Sequence, residues 1–263
     1  MMTAYVIASL CYISISFWLL YCLYHKRAIS KPLAIGLLTI GLCLHAWLLY
    51  PNIITPNGLN FNVFNTLSLT SLFLLTFFLL FSLIRPIYSL GILAAPAAFF
   101  GITAGFFGHA PYKPLANISA GLQTHILLSI AAYSLLLMCA VQAIILRLQI
   151  RELKHRTRHR LWVSKLPPLQ SMENLLFDML VLGFVLLSFA LLLGFVYVDD
   201  FFAQHLAHKT VFSILSWLMF AYLIFGHWRF GWRGKHAANM TVFSFLLLAI
   251  GFVGSKAVLE LIL

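Results

Sequence analysis

Six of the ten histidines lie in or beside apolar segments, where an imidazole could bind a ligand: His45, His109, His125, His205, His208 and His227. His45 comes about four residues before the end of one segment, and His125 about one helical turn after the start of another, so the two are predicted to lie at similar depths in a membrane. Two neutral imidazoles that face each other can hold haem through both axial positions. The alternative is that each is a hydrogen-bonded packing residue. Zinc is less favoured, because no cysteine or carboxylate joins them at ligand spacing.

A second candidate is His227, in the stretch GHWRFGWRGKHAANM at residues 226–240. The basic residues of this stretch are typical of a cytoplasmic loop that orients a membrane protein. On that interpretation His227 is an interfacial histidine. Alternatively it is a buried ligand, and Arg229 and Arg233 meet phosphates or the propionates of a haem. The remaining histidines are expected to be solvated in basic loops: His25, His155, His159 and His236.

Other kinds of chemistry have little support in this sequence. Only six residues are acidic, which disfavours catalysis by carboxylates. The four cysteines form no CxxC pair, so we expect them to be small packing residues. No CxxCH is present, so covalent attachment of a c-type haem is not expected.

The elements that must position these histidines are membrane-spanning helices. The sequence is 62% hydrophobic with a mean hydropathy of +0.98, more than a water-soluble domain needs. We predict an all-α polytopic protein, a bundle of about eight transmembrane helices that forms one membrane domain over residues 1–263. The predicted spans are 3–24, 32–50, 64–82, 89–108, 120–147, 174–197, 209–227 and 238–260.

The basic residues predict the orientation of the bundle. Most of the 17 Lys and Arg fall on one side if the N-terminus is outside, which also places the C-terminus outside. The first span is expected to be an uncleaved helix, because its basic residues follow the apolar run. The most basic segment, within a predicted cytoplasmic loop at 147–170, is expected to meet anionic lipid headgroups rather than nucleic acid.

Two shorter features predict local structure. The outer segment at residues 51–65 contains five asparagines and no charge, and is expected to make neutral hydrogen bonds close to the bilayer. The fourth span carries Pro96 at its centre, with Gly101 and Gly105 at a spacing that favours close helix packing.

Several motifs in the second half resemble the cytochrome c assembly family of bacterial inner-membrane proteins, which includes CcsA-type and HemX-type haem proteins. The nearest resemblance is to its YpjD branch. The motifs are THILLSIAAYSLLL from Thr124, LPPLQSMENLL from Leu166, and a closing pair of helices that contains Lys209, Trp217 and GWRG. The resemblance covers about residues 120–260 and extends more weakly toward a core at about 60–260.

This resemblance implies haem handling at the outer face of a bacterial inner (plasma) membrane. His125 matches the first outer histidine of the family by position, whereas His227 is displaced by about two residues from a transmembrane histidine of the family. We therefore predict a b-type, non-covalent haem with His125 and His45 as outer ligands and His205 or His208 as substitutes. Ser129 and Tyr133 would hydrogen-bond around the ligand, and Lys209 and Arg233 would neutralise propionates. The sequence departs from the family, because the outer segment after the sixth span has no tryptophan and the second outer histidine has no counterpart before Leu263.

These departures favour a haem-handling assembly factor over an enzyme. We predict an accessory role in cytochrome c assembly or haem homeostasis, with haem, the lipid bilayer and other maturation or haem biosynthesis proteins as partners. The alternatives are a small-molecule transporter or exporter without a cofactor, and a membrane scaffold that regulates a cytoplasmic partner.

Overall fold

The computed structural model describes a predominantly helical chain. The described residues are 1–25, 27, 30–85, 87, 91–110, 114–116, 118–154, 166–197 and 204–254. Their side chains are described as well, except at positions 23, 204–208, 253 and 254.

The helices divide into two compact units, residues 1–117 and 118–263. A single membrane domain over residues 1–263 stays a prediction, as do the limits of a core at about 60–260.

The first unit contains four helices and a short hairpin. In it α1 packs on α2 and α4, and α3 packs on α2 and α4. The helices are apolar around most of their circumference, so one side of each can be buried in the unit while the other meets hydrocarbon. The elements are α1 (Met2–Tyr24), α2 (Lys31–Ile53), β1 (Ile54–Thr55), β2 (Gly58–Leu59), α3 (Val63–Ile84) and α4 (Gly91–Phe107).

Small residues bring α3 and α4 close together, as the spacing of Gly101 and Gly105 predicts. A Cβ at position 101 would overlap the hydroxyl of Ser71, and one at position 105 would lie 2.6 Å from the hydroxyl of Ser68. The two helices therefore approach at a distance that only glycine on α4 permits.

The second unit also contains four α-helices, each packed on the next along the chain. In addition, the first helix of the unit, α5, packs on the last, α8. The elements are α5 (Ala120–Lys154), α6 (Leu169–Tyr197), α7 (Gln204–Phe230), α8 (Gly234–Ala249) and a π-helical turn (Ile250–Gly254).

Two buried glutamines join α5 to the first part of α6. The Nε2 of Gln142 donates to the carbonyl of Met172 at 3.1 Å, and the Nε2 of Gln149 donates to the carbonyl of Pro167 at 3.0 Å. The two glutamines are seven positions apart and therefore share one face of α5. Because the later glutamine meets an earlier residue, Pro167 just before α6, the two helices run antiparallel.

The prediction of an all-α, multi-pass membrane protein is confirmed. Within the described residues, seven helices are long and apolar enough to cross a membrane, and α4 is a shorter apolar helix of 17 residues. That length, about 25 Å at 1.5 Å per residue, is at the lower limit for a bilayer core. The positions of both termini outside stay a prediction.

The helix bounds differ from the predicted spans chiefly around the basic loop. Helix α5 continues beyond residue 147 to Lys154, and α6 begins at Leu169. The first part of the predicted 147–170 loop is therefore helical. Residues 155–165, which carry most of its remaining charge, lie outside the described residues.

Candidate functional site

His125 is held on α5 by the main chain of α6. Its Nδ1 lies 2.7 Å from the carbonyl oxygen of Ala190. A carbonyl can only accept, so Nδ1 carries a proton, and in the neutral imidazole Nε2 is then the nitrogen with the lone pair. This is the arrangement by which proteins orient a metal-binding imidazole, with one ring nitrogen donating to a carbonyl and the other directed to the ligand.

A glycine on α6 makes room for this imidazole. A Cβ at position 194 would lie 2.8 Å from Cε1 of His125 and 3.1 Å from its Nδ1. Ala190 and Gly194 are four positions apart and lie on one face of α6, so both small residues meet the same ring. The His125 ring is half-buried between the helices.

His227 repeats the same hydrogen-bond pattern near the end of α7. Its Nδ1 donates to the carbonyl of Trp232 at 2.8 Å, which again leaves Nε2 with a lone pair. The ring is stacked on Phe177 of α6, with centroids 3.5 Å apart and planes at 14°. This imidazole is inside a helix rather than at the head of a loop, because α7 continues to Phe230.

The turn after α7 explains why His227 can reach Trp232. Gly231 has φ 68°, and its N–H donates to the carbonyl of His227 at 3.0 Å, which ends the helix in a left-handed residue. The chain then folds back so that the indole of Trp232 lies against Gly226, where a Cβ would overlap the ring.

His125 and His227 belong to opposite ends of the second unit. They meet α6 at residues 190 and 177, which are 13 positions apart, or about 20 Å along the helix. A bond between a metal ion and an imidazole nitrogen is about 2 Å long, so the ligating nitrogens of two imidazoles on opposite sides of one ion are about 4 Å apart. The two histidines therefore cannot ligate the same iron, and they define separate candidate positions.

His45 of the first unit differs from both, because each of its ring nitrogens has a partner. Nε2 lies 2.8 Å from the hydroxyl of Ser68, and Nδ1 lies 3.4 Å from the hydroxyl of Tyr12. The histidine is fully buried. The cavity beside it measures about 10 Å³, which is space for one water molecule. Without rearrangement, this position offers neither a free ring nitrogen nor room for a porphyrin.

The asparagine-rich segment forms a neutral hydrogen-bonded network close to His45. Asn65 donates through Nδ2 to the carbonyls of Asn52 and Asn60, at 3.0 and 3.1 Å. The side chain of Asn62 caps α3 by accepting from the N–H of Asn65 at 2.8 Å. The Nδ2 of Asn52 also donates to the carbonyl of Gly105 at 3.3 Å, and the Oδ1 of Asn60 accepts from the N–H of Asn62 at 3.2 Å. The predicted use of these asparagines in neutral hydrogen bonds is therefore confirmed for four of the five.

The other predicted site residues are not gathered around His125. The ring of Tyr133 lies 5.3 Å from the ring of Phe245 on α8 and stacks on Phe252 of the π-helical turn at 4.7 Å. Lys209 lies in the first part of α7, near the end of the unit that holds His125, whereas Arg233 precedes α8 at the end that holds His227. Ser129 donates to the carbonyl of His125 within the same helix. The side chains of His205 and His208 lie outside the described residues.

Sequence reasoning missed the residues that orient the two imidazoles. Ala190 and Trp232 contribute main-chain carbonyls, and any residue type has one, so their identities carry no signal. The available signal was a glycine inside each apolar helix, since Gly194 and Gly226 each lie against a neighbouring ring. No group of three or more His, Cys, Asp or Glu side chains suited to a metal ion occurs in the part of the chain that the structure describes.

The helices define a multi-pass membrane protein, and its second unit contains two imidazoles oriented by main-chain carbonyls. The family model of the cytochrome C assembly protein matches residues 35–263. The chain therefore belongs to the cytochrome c assembly family, as its motifs predict.

Individual relatives are 25–30% identical to this chain over parts of its length. The inner membrane protein YpjD of Escherichia coli K12 is 30% identical over 154 residues, and the aligned region spans 58% of the length of each protein. An uncharacterized 28.8 kDa protein of Azospirillum brasilense is 28% identical over 190 residues, 69% of each chain. The cytochrome c biogenesis protein CcsA of Prochlorococcus marinus is 25% identical over 87 residues, 32% of this chain and 28% of that protein.

Family membership and the apolar helices also agree on where the protein resides. A multi-pass protein of the bacterial inner membrane was predicted, and that location is confirmed. Membership in this family implies haem handling in general terms.

Proposed function

We propose that the protein is a haem-handling accessory factor of cytochrome c assembly or haem homeostasis, in which His125 provides an axial ligand. The haem is b-type and bound without a covalent link. It is the cargo or signal of the protein, which carries it among cytochrome c maturation or haem biosynthesis partners. The assignment of His125 to the outer face rests on the predicted orientation of the bundle.

The observation that carries this proposal is the hydrogen bond from His125 to Ala190. An imidazole that only packs in a helix bundle gains from having both nitrogens bonded, as His45 does. At His125 one nitrogen is fixed and the other keeps its lone pair, in a protein whose family handles haem. The donor chemistry of this side chain fits a haem iron.

The other candidate ligands differ in how close they lie to His125 and in whether their ring nitrogens are already bonded. His205 and His208 lie close to the start of α7, at the same end of the unit as His125, and either is a suitable second ligand. Lys209 follows directly and is suited to neutralising a propionate. His45 would have to give up its bond to Ser68 before its Nε2 could bind iron, so we place it second to His125.

His227 and Arg233 belong to the opposite end of the unit. If they bind haem, they do so at a second position, with Arg233 available to a propionate. Tyr133 contributes to the interior of the unit through α8, and its proposed role near the ligand is the weakest of the set.

The test is a hemin titration of the detergent-solubilised protein, followed by the Soret band. The parent should bind hemin with a shifted Soret band, and His125→Ala should lose most of that shift. His236→Ala is the matched control, because it removes an exposed imidazole of the same unit. A parent that takes up no hemin, or an unchanged titration in His125→Ala, would contradict the proposal, and the former would favour the transporter alternative.

A further inference from the structure

Along the interface between α5 and α6, which we call the seam, a glycine on each helix accommodates a ring from the other helix. Gly194 on α6 leaves room for the imidazole of His125 on α5. In return, Gly121 on α5 leaves room for Tyr197 on α6, since a Cβ at position 121 would overlap Cζ, Cε1 and Cε2 of that ring. The tip of the phenol ring therefore lies directly on the backbone of α5.

The two rings are neighbours along this seam. Gly121 and His125 are four positions apart on α5, where residues at that spacing are about 5–6 Å apart on one face. Gly194 and Tyr197 are three positions apart on α6 and also share a face. The phenol therefore lies about one helical turn beyond the imidazole, toward the end of the unit where α5 begins and α6 ends.

Tyr197 is less exposed than the two residues before it. Phe195 and Val196 are 76% and 69% exposed, against 43% for Tyr197. A tyrosine at a membrane interface ordinarily directs its hydroxyl to headgroups and water. Here the ring lies over a glycine of the opposite helix, and its hydroxyl makes no hydrogen bond to any residue that the structure describes.

We propose that Tyr197 is an access-determining residue for His125. Its ring covers the seam between the imidazole and the end of the unit, so that a ligand reaching Nε2 from that end must move or pass the phenol. The identity of the ligand, a planar metalloporphyrin, rests on the proposed function. The shielding of the imidazole does not, because it is a property of the protein alone.

The test measures the reactivity of His125 toward diethyl pyrocarbonate in the protein without hemin, with the modified residue identified by peptide mass spectrometry. Tyr197→Ala should raise the rate of carbethoxylation at His125 several-fold. Tyr197→Phe keeps the ring and should leave the rate at the parental value. Phe195→Ala is the matched control, since it removes an exposed ring from the same helical turn.

A second variant changes the residue of α5 that contacts the ring of Tyr197. Gly121→Ala displaces the phenol and should also raise the rate at His125, provided that the thermal unfolding temperature shows that the variant is folded. If it is not, Tyr197→Ala and Tyr197→Phe decide the question alone. Rates at His125 that stay within twofold of the parent in Tyr197→Ala would overturn the proposal, as would an equal increase in Phe195→Ala.

Hemin association separates this proposal from the proposed function. If both are correct, Tyr197→Ala should bind hemin with a faster association rate than the parent. If the parent binds no hemin but His125 becomes more reactive in Tyr197→Ala, the shielding stands and the haem assignment fails. If hemin binds through His125 at the same rate in both, and its reactivity is unchanged, the haem assignment stands and the shielding fails.

Discussion

Gly194 on α6 and His125 on α5 are complementary, because the absent side chain of the glycine is the space that the imidazole fills. A Cβ at position 194 would lie 2.8 Å from Cε1 of the ring. That separation is shorter than a carbon–carbon contact, which is optimal at about 3.5–4.0 Å. The position of the proposed haem ligand is thus set by a residue that has no chemistry of its own.

The first prediction is that Gly194→Ala impairs hemin binding without unfolding the protein. The added methyl group should push the imidazole away and lengthen its bond to Ala190, because both contacts hold the same ring. Hemin affinity, measured by Soret titration, should fall at least about tenfold, within the range seen when residues that orient a metal ligand are changed.

The matched control for this variant is Gly36→Ala. A Cβ at position 36 would meet no atom within 4 Å, so that substitution adds a methyl group to a helix without a clash. Equal losses of hemin affinity in Gly194→Ala and Gly36→Ala would show that the clearance for His125 is irrelevant.

The second prediction concerns the pairing of His45 with Ser68 in the first unit. Removing either partner leaves a buried polar group unpaired, at a cost of about 1–3 kcal/mol in the free energy of unfolding. In a double-mutant cycle, His45→Ala and Ser68→Ala should show a coupling energy of about 0.5–3 kcal/mol. Chemical unfolding in detergent provides the measurement.

The comparison variant for the cycle is Ser16→Ala, which removes a hydroxyl that bonds only within its own helix. Its cost should stay within about 0.5 kcal/mol. Additive effects of the two cycle variants would mean that the 2.8 Å contact between His45 and Ser68 contributes nothing.

The third prediction concerns Gln142, whose amide nitrogen bonds to α6 while its buried oxygen has no partner among the described residues. Gln142→Leu loses one hydrogen bond but also removes the unpaired oxygen, so the cost should be about 1 kcal/mol or less. Gln142→Glu brings a carboxylate toward the carbonyl of Met172 and should cost distinctly more. Unfolding free energies that rank the two variants in the opposite order would contradict this view of the α5–α6 contact.

The fourth prediction concerns the left-handed residue that ends α7. Gly231 has φ 68° and open space around its Cα, so a side chain there meets strain but no clash. Gly231→Ala should therefore cost about 1–2 kcal/mol in stability. Gly231→Asn should cost less, because asparagine tolerates this conformation. Equal costs would indicate that the turn adopts another backbone conformation in the membrane.

The amount of structure that the sequence predicted depends on the type of signal. Every predicted span corresponds to a helix, because a run of apolar residues is both a hydropathy signal and a requirement of the bilayer. The helix of the fifth span continues beyond residue 147 to Lys154, since Arg151 and Lys154 are good helix formers that hydropathy counts as loop.

The candidate site was predictable in its side chains but not in its geometry. His125 stood out as an imidazole in an apolar run, yet its partner is a main-chain carbonyl 65 positions away, which no residue type encodes. His45 stood out for the same reason, although its surroundings proved to be Ser68 and Tyr12, two hydroxyls that resemble ordinary packing residues in the sequence. Tyr197 gave no signal, because the position of its ring depends on Gly121 of another helix.

The measurement that tests the central claim most directly is the optical spectrum of the protein purified from haem-replete cells. The parent should carry a Soret band whose reduced spectrum is that of a b-type haem with histidine ligation, and His125→Ala, purified in parallel and equally folded, should lose it. A parental protein that is colourless and remains so after addition of hemin, or a Soret band of equal strength in His125→Ala, would contradict the claim that His125 holds haem in this protein.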